Sequence, residues 1–106
     1  MRMADNTLRE NLRSGFVVKT RNGLLFMVVR VGSYYKHLAS PSLNIPLRAY
    51  RGNLIGKPGR LDSGFDIEEI YGLVHSNCSP YDALTISTDN RPLLWKRKDG
   101  EETNNQ

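Results

Sequence analysis

Phe16-Val17-Val18-Lys19-Thr20-Arg21-Asn22-Gly23-Leu24-Leu25-Phe26-Met27-Val28-Val29-Arg30-Val31 is the stretch that decides the fold. Two runs rich in β-branched and aromatic residues flank Asn22-Gly23, a pair that readily takes the positive φ angles of a type I′ turn, whose twist matches that of paired strands. A β-hairpin beginning after Gly15 is therefore predicted. In its first arm Phe16 and Val18 alternate with Val17 and Lys19. In its second, Leu25, Met27 and Val29 alternate with Phe26, Val28 and Arg30. Both faces are apolar, which suits a bent strand serving two sides of a small barrel, or an extra face covered by the N-terminal arm or a second subunit.

Working outward toward the N-terminus, Asp5-Asn6-Thr7 followed by Leu8 and Leu12 predicts one or two helical turns, with Glu10 three residues after Thr7 as in a capping box. The alternative is an arm that lays the same leucines over the open end of the sheet. On the other side of the hairpin, Tyr34-Tyr35-Lys36-His37 forms an aromatic and basic cluster bounded by Ser40-Pro41-Ser42, expected as a loop or short edge strand. Ile45, Leu47 and Ala49 then alternate with Pro46, Arg48 and Tyr50, so a strand here turns Arg48 and Tyr50 outward. Gly52, Gly56, Pro58, Gly59, Ser63 and Gly64 mark a loop-rich region around Asn53-Leu54-Ile55. Residues 32–64 are thus the expected seat of specificity.

Order returns at Phe65-Asp66-Ile67-Glu68-Glu69-Ile70-Tyr71, where Ile67, Glu69 and Tyr71 alternate as in an edge strand and a single helical turn competes. Residues 75–82 read as a loop, 84–88 as a short strand, 89–92 as its turn and 93–97 as the last strand, with Trp95 packed on the barrel. Residues 98–106 carry no apolar side chain and are expected to be a disordered tail. The expectation is an all-β fold, one small barrel domain over residues 1–97.

Composition sets the remaining bounds. At 106 residues, 39% hydrophobic and 25% charged, the chain fits one soluble domain, and its longest apolar run, Leu24 to Val29, is too short to cross a bilayer. No secretory h-region opens the sequence, and Cys78 is alone, so a cytoplasmic, reducing setting is expected. The net charge of +4 is unevenly spread. Residues 11–61 hold nine bases and no acid, whereas the chain from Asp62 onward carries a formal −5. Such asymmetry is expected of a surface facing polyanions, unless strand order interleaves the halves and cancels the field.

The inventory of reactive groups points away from catalysis. His37 and His75 have no cysteine or carboxylate at metal-ligand spacing, and Gly52, Gly56 and Gly59 lack the order of a phosphate-binding P-loop. Glu68 and Glu69 point to opposite faces of a strand, poor geometry for acid/base work. Nothing near Cys78 identifies a lowered thiol pKa. No enzymatic activity, metal or cofactor is expected. Binding remains: Tyr34, Tyr35 and Tyr50 lie among Lys36, His37, Arg48 and Arg51, with Lys57 and Arg60 beyond, supplying rings for stacking and cations for phosphates. The same residue types dominate protein-interface hot spots, and they also suit a nucleotide.

Leu12-Arg13-Ser14-Gly15, Val17-Val18, Arg21-Asn22-Gly23, Asp66-Ile67-Glu68-Glu69-Ile70-Tyr71 and Leu94-Trp95-Lys96-Arg97, in this order, resemble a group of small uncharacterised proteins of phages and prophages. The resemblance touches about a third of the chain. It implies an SH3-like barrel working in a bacterial host cell and brings no catalytic residues. It also implies anti-defence roles such as blocking a CRISPR effector or sequestering a nucleotide signal. The expected partner is a host protein or ribonucleoprotein, with nucleic acid or a nucleotide as alternatives and no membrane.

Overall fold

Six short strands, each antiparallel to its neighbours, form one sheet in the order β4-β3-β2-β1-β5-β6. The computed structural model describes residues 5–33 and 35–98. The strands are β1 (Val17–Thr20), β2 (Leu25–Val31), β3 (Tyr35–Ala39), β4 (Asn44–Pro46), β5 (Ile67–Tyr71) and β6 (Leu93–Lys96). Two short helices, α1 (Leu8–Asn11) and α2 (Pro80–Leu84), and three single 3₁₀ turns complete the described chain. β4 and β6 are the two edges, and among the described residues no ladder joins them. The β-rich fold expected from the sequence is present; closure into a barrel is not seen.

The hairpin forms where its residues place it, but with a different turn. Val17, Val18 and Lys19 stand opposite Met27, Phe26 and Leu25, and Thr20 N–H donates to Leu24 O at 2.9 Å, which leaves three residues, Arg21-Asn22-Gly23, in the loop. Gly23 alone among them has positive φ, 87°, and its N–H donates to Thr20 O at 3.0 Å. This is the pattern of a turn followed by a left-handed glycine rather than a two-residue type I′ turn. Thr20 decides it: its Oγ1 accepts from Leu24 N at 3.0 Å and bonds Asn22 Oδ1, holding a longer loop in register.

One face of the sheet carries the main core. Ile45, Leu38 and Val28 stand side by side, as do Phe26, Val18, Ile70 and Trp95, and Leu8 and Leu12 of the N-terminal segment join them. Phe26, Val18, Leu38 and Ile70 are fully buried, each contributing about 1.5–3 kcal/mol. Helix α1 forms as expected and buries its leucines, yet its end is tied differently: Asn11 Nδ2 donates to Thr7 O at 2.9 Å. Among the described residues no side-chain hydrogen bond caps its first turn, so the Thr7/Glu10 box is not seen there. On the opposite face Val17 is also fully buried, which accounts for the apolar residues on both sides of the hairpin.

Three further expectations change. β5 is an internal strand between β1 and β6, and a register shift at Lys19/Thr20 lets Ile67 and Ile70, three residues apart, both reach the core. Residues 80–84 are helix α2 rather than loop and strand, because Ser79 and Asp82 form a capping box behind Pro80 at the first helical position. The strand expected over 44–51 ends at Pro46, which has no N–H to continue a ladder. The chain then enters the 3₁₀ turn Leu47–Ala49. Of the tail from Lys98, only Lys98 itself lies within the described residues.

The chain's two charge blocks meet at β1 and β5. Arg21 lies 3.7 Å from Asp66 and 3.2 Å from Glu68, and Arg97 lies 3.4 Å from Glu68. Lys96 and Glu69 are 4.0 Å apart. Of the nine bases in the acid-free block, Arg21 is the only one with an acidic partner within 4.0 Å among the described residues. Interleaving therefore cancels the field locally and leaves the rest of the positive block unpaired.

Candidate functional site

The end of β4 creates the site. Because β4 stops at Pro46 it covers only His37, Leu38 and Ala39 of β3, so Tyr35 and Lys36 run on past it. The 3₁₀ turn buries Leu47 and Ala49 and leaves Arg48 exposed between them. Lys57 is brought alongside by its backbone N–H, which donates to Ala49 O at 2.9 Å, next to the bridge between Tyr50 and Gly56. Between these elements opens a groove of about 470 Å³ lined by Arg9, Glu10, Tyr35, Lys36, His37, Pro46, Leu47, Arg48 and Lys57.

Five residues singled out from the sequence, Tyr35, Lys36, His37, Arg48 and Lys57, thus share one recess although 22 positions separate the first from the last. Tyr35 is 60% exposed and presents its ring to solvent. Lys36 Nζ donates to Leu12 O at 2.6 Å, which fixes its position without neutralising it. Arg48 and Lys57 make no side-chain hydrogen bond or ion pair among the described residues. His37 Nδ1 is buried without a hydrogen-bond partner among the described residues.

Of the other four predicted residues, three fall elsewhere. Tyr50 is fully buried in the core, contrary to the outward orientation expected from alternation. The change from strand to 3₁₀ turn rotates it inward, and its hydroxyl donates to Phe65 O at 2.8 Å. Burial and the nearby Asp66 carboxylate push its phenol pKa upward, so it stays a neutral donor. Arg51 is exposed but does not line the groove. Arg60 belongs to a second, apolar groove of about 430 Å³ on the outer side of β4, with Leu43, Leu61 and Phe65. Tyr34 lies outside the described residues.

Arg9 and Glu10 are the charged groove residues not expected from the sequence, and Pro46 and Leu47 join them as apolar lining. Arg9 is held by two contacts remote in sequence: its backbone N–H donates to Gly52 O at 2.9 Å and its Nη1 to Tyr50 O at 2.6 Å. Gly52 makes the first of these possible, because a Cβ there would stand 2.4 Å from Asn6 O. Neither contact leaves a local mark on residues 5–12, where only the leucine spacing is informative.

The groove therefore gathers four cationic side chains, one carboxylate and one exposed ring, and none of the four cations lies within 4.0 Å of an acid among the described residues. Chemically it is suited to hold an anionic group by charge and to stack a planar one. Among the described residues no three His, Cys, Asp or Glu side chains cluster as a metal site, and no helix is long and apolar enough to cross a membrane. No family model matches this chain, and no curated protein or solved structure matches it either.

Proposed function

We propose that this protein is a non-enzymatic binding module that takes an anionic part of a host macromolecule into the groove between α1, β3 and the 47–49 turn. The observation that carries this reading is the set Arg9, Lys36, Arg48 and Lys57, four cations lining one recess with no acidic partner within 4.0 Å among the described residues. A cation that serves only solubility needs no such convergence, whereas a groove lined by one sign of charge focuses the field and steers an oppositely charged partner. The likeness to small phage proteins directs the partner to a bacterial cell, to a host protein or ribonucleoprotein such as a CRISPR effector. An SH3-like kinship of the fold belongs to the same proposal.

The test is Arg48→Glu combined with Lys57→Glu. Because neither side chain makes a hydrogen bond or ion pair among the described residues, the double variant is expected to keep its circular dichroism and melting behaviour. Capture of bacterial partners by the tagged protein, run with and without nuclease, is expected to lose its specific partner in the variant. Equal capture by the folded double variant overturns the reading.

A further inference from the structure

Glu10 is out of place in this groove. It is the single carboxylate among the lining residues, it stands with four cations, and it makes no ion pair with any of them within 4.0 Å. Toward a phosphate it is repulsive. An ionised carboxylate accepts hydrogen bonds and donates none, so its productive contact is with a donor on the ligand. The groove thus asks for a partner that carries phosphates and hydrogen-bond donors together. An acidic protein surface, made of carboxylates, supplies acceptors where this position needs a donor.

We infer that the groove receives single-stranded RNA in preference to DNA, with Glu10 accepting a hydrogen bond from a ribose 2′-OH. This rests on the groove reading proposed above and narrows it to one class of anion. Arg48 and Lys57, without a side-chain bond among the described residues, face the phosphates; the exposed ring of Tyr35 stacks an unpaired base. A recess of about 470 Å³ is on the scale of small-ligand sites and admits a nucleotide of a splayed strand rather than a duplex. The 2′-OH is the donor every ribonucleotide offers whatever its base, and it is the group by which proteins distinguish the two nucleic acids.

A uridine oligomer and a deoxyuridine oligomer of equal length separate the terms, since they share base and charge and differ only at the 2′ position. By fluorescence anisotropy at one salt concentration, the wild type is expected to bind the ribo-oligomer at least about fivefold tighter. Glu10→Ala is expected to bring the two affinities together, and Glu10→Gln, which keeps an acceptor oxygen, to restore part of the preference. Arg48→Glu with Lys57→Glu is expected to abolish binding of both. Equal wild-type affinity for the two oligomers, with both lost in the double charge reversal, overturns the RNA inference and leaves the groove reading standing. Binding of neither oligomer also overturns it, and the capture experiment then decides the groove alone. Binding of both that survives the charge reversal overturns the two together.

Discussion

Arg91 and Arg97, from the acidic part of the chain, give their guanidinium groups to backbone carbonyls, Arg97 to the Glu68 carboxylate as well, whereas Arg48 and Lys57, from the acid-free block, make no side-chain hydrogen bond or ion pair among the described residues. Arg91 is buried and donates to Gly15 O at 2.6 Å, Gly72 O at 2.9 Å, Ala83 O at 3.2 Å and Thr85 O at 3.4 Å. It joins the start of β1, the end of β5 and helix α2. Arg97 reaches Ile67 O and Asn53 O, each through Nη2, at 2.8 and 2.9 Å, and lies 4.9 Å from the centroid of the Trp95 ring. The same charge thus serves two ends. Where the guanidinium of Arg91 or Arg97 meets carbonyls it holds the chain together; Arg48 and Lys57 have no such partner among the described residues.

That contrast is broken most directly at Arg91. Burial already pushes its pKa below the ordinary arginine value. Arg91→Met removes the donors from buried carbonyls and is expected to cost about 2–4 kcal/mol in denaturant unfolding. The corresponding exchange of Arg48 and Lys57 to Met is expected to stay within about 0.5 kcal/mol. Equal effects at the two places would erase the distinction.

A second measurement sharpens it with tyrosines. Tyr50 and Tyr35 are both candidates by sequence, but only Tyr35 is exposed. Tyr50→Phe deletes the buried hydrogen bond to Phe65 O and is expected to cost about 1 kcal/mol while partner binding is unchanged. Lost binding with unchanged stability would return Tyr50 to the site.

The smallest effect lies at Tyr71, whose hydroxyl donates to Glu69 Oε1 at 2.6 Å. That hydrogen bond, with burial and the carboxylate's charge, pushes its pKa up to about 12 from 10.0. The folded state holds this proton more tightly than the unfolded chain. The stability it contributes is therefore complete below about pH 10 and is lost as pH rises toward about 12. Tyr71→Phe is expected to remove part of the alkaline fall in stability, by less than about 1 kcal/mol because the pair is partly solvated. An identical alkaline profile for wild type and variant would remove Tyr71 from this account.

Much of the sheet was legible in the residues. The hairpin, β5 and β6 follow from β-branched runs and their turn signals, and Leu8 and Leu12 were legible as buried because four residues bring a helix back to the same face. The errors have one character. Asn22-Gly23 alone indicates a two-residue turn, but the Thr20 side chain sets a three-residue one. Alternation alone turns Tyr50 outward, but Pro46 ends the strand and a 3₁₀ turn has a different period. Ser79, Pro80 and Asp82 carry the signature of a helix start, a signal that the loop expected over 75–82 leaves unused.

The sequence by itself determined the β character, the place of the hairpin and the concentration of unopposed positive charge between Arg13 and Arg60, because these depend on side-chain period and on counting. Tertiary structure alone decided which of those charges converge. Arg9 enters the groove through Gly52 and Tyr50, Lys57 through Ala49, and Arg21 leaves the free set by meeting Asp66 and Glu68. Contacts of that kind join residues 40 or more positions apart in the case of Arg9 and Arg21. Local propensity reaches only a few residues along the chain and does not encode them.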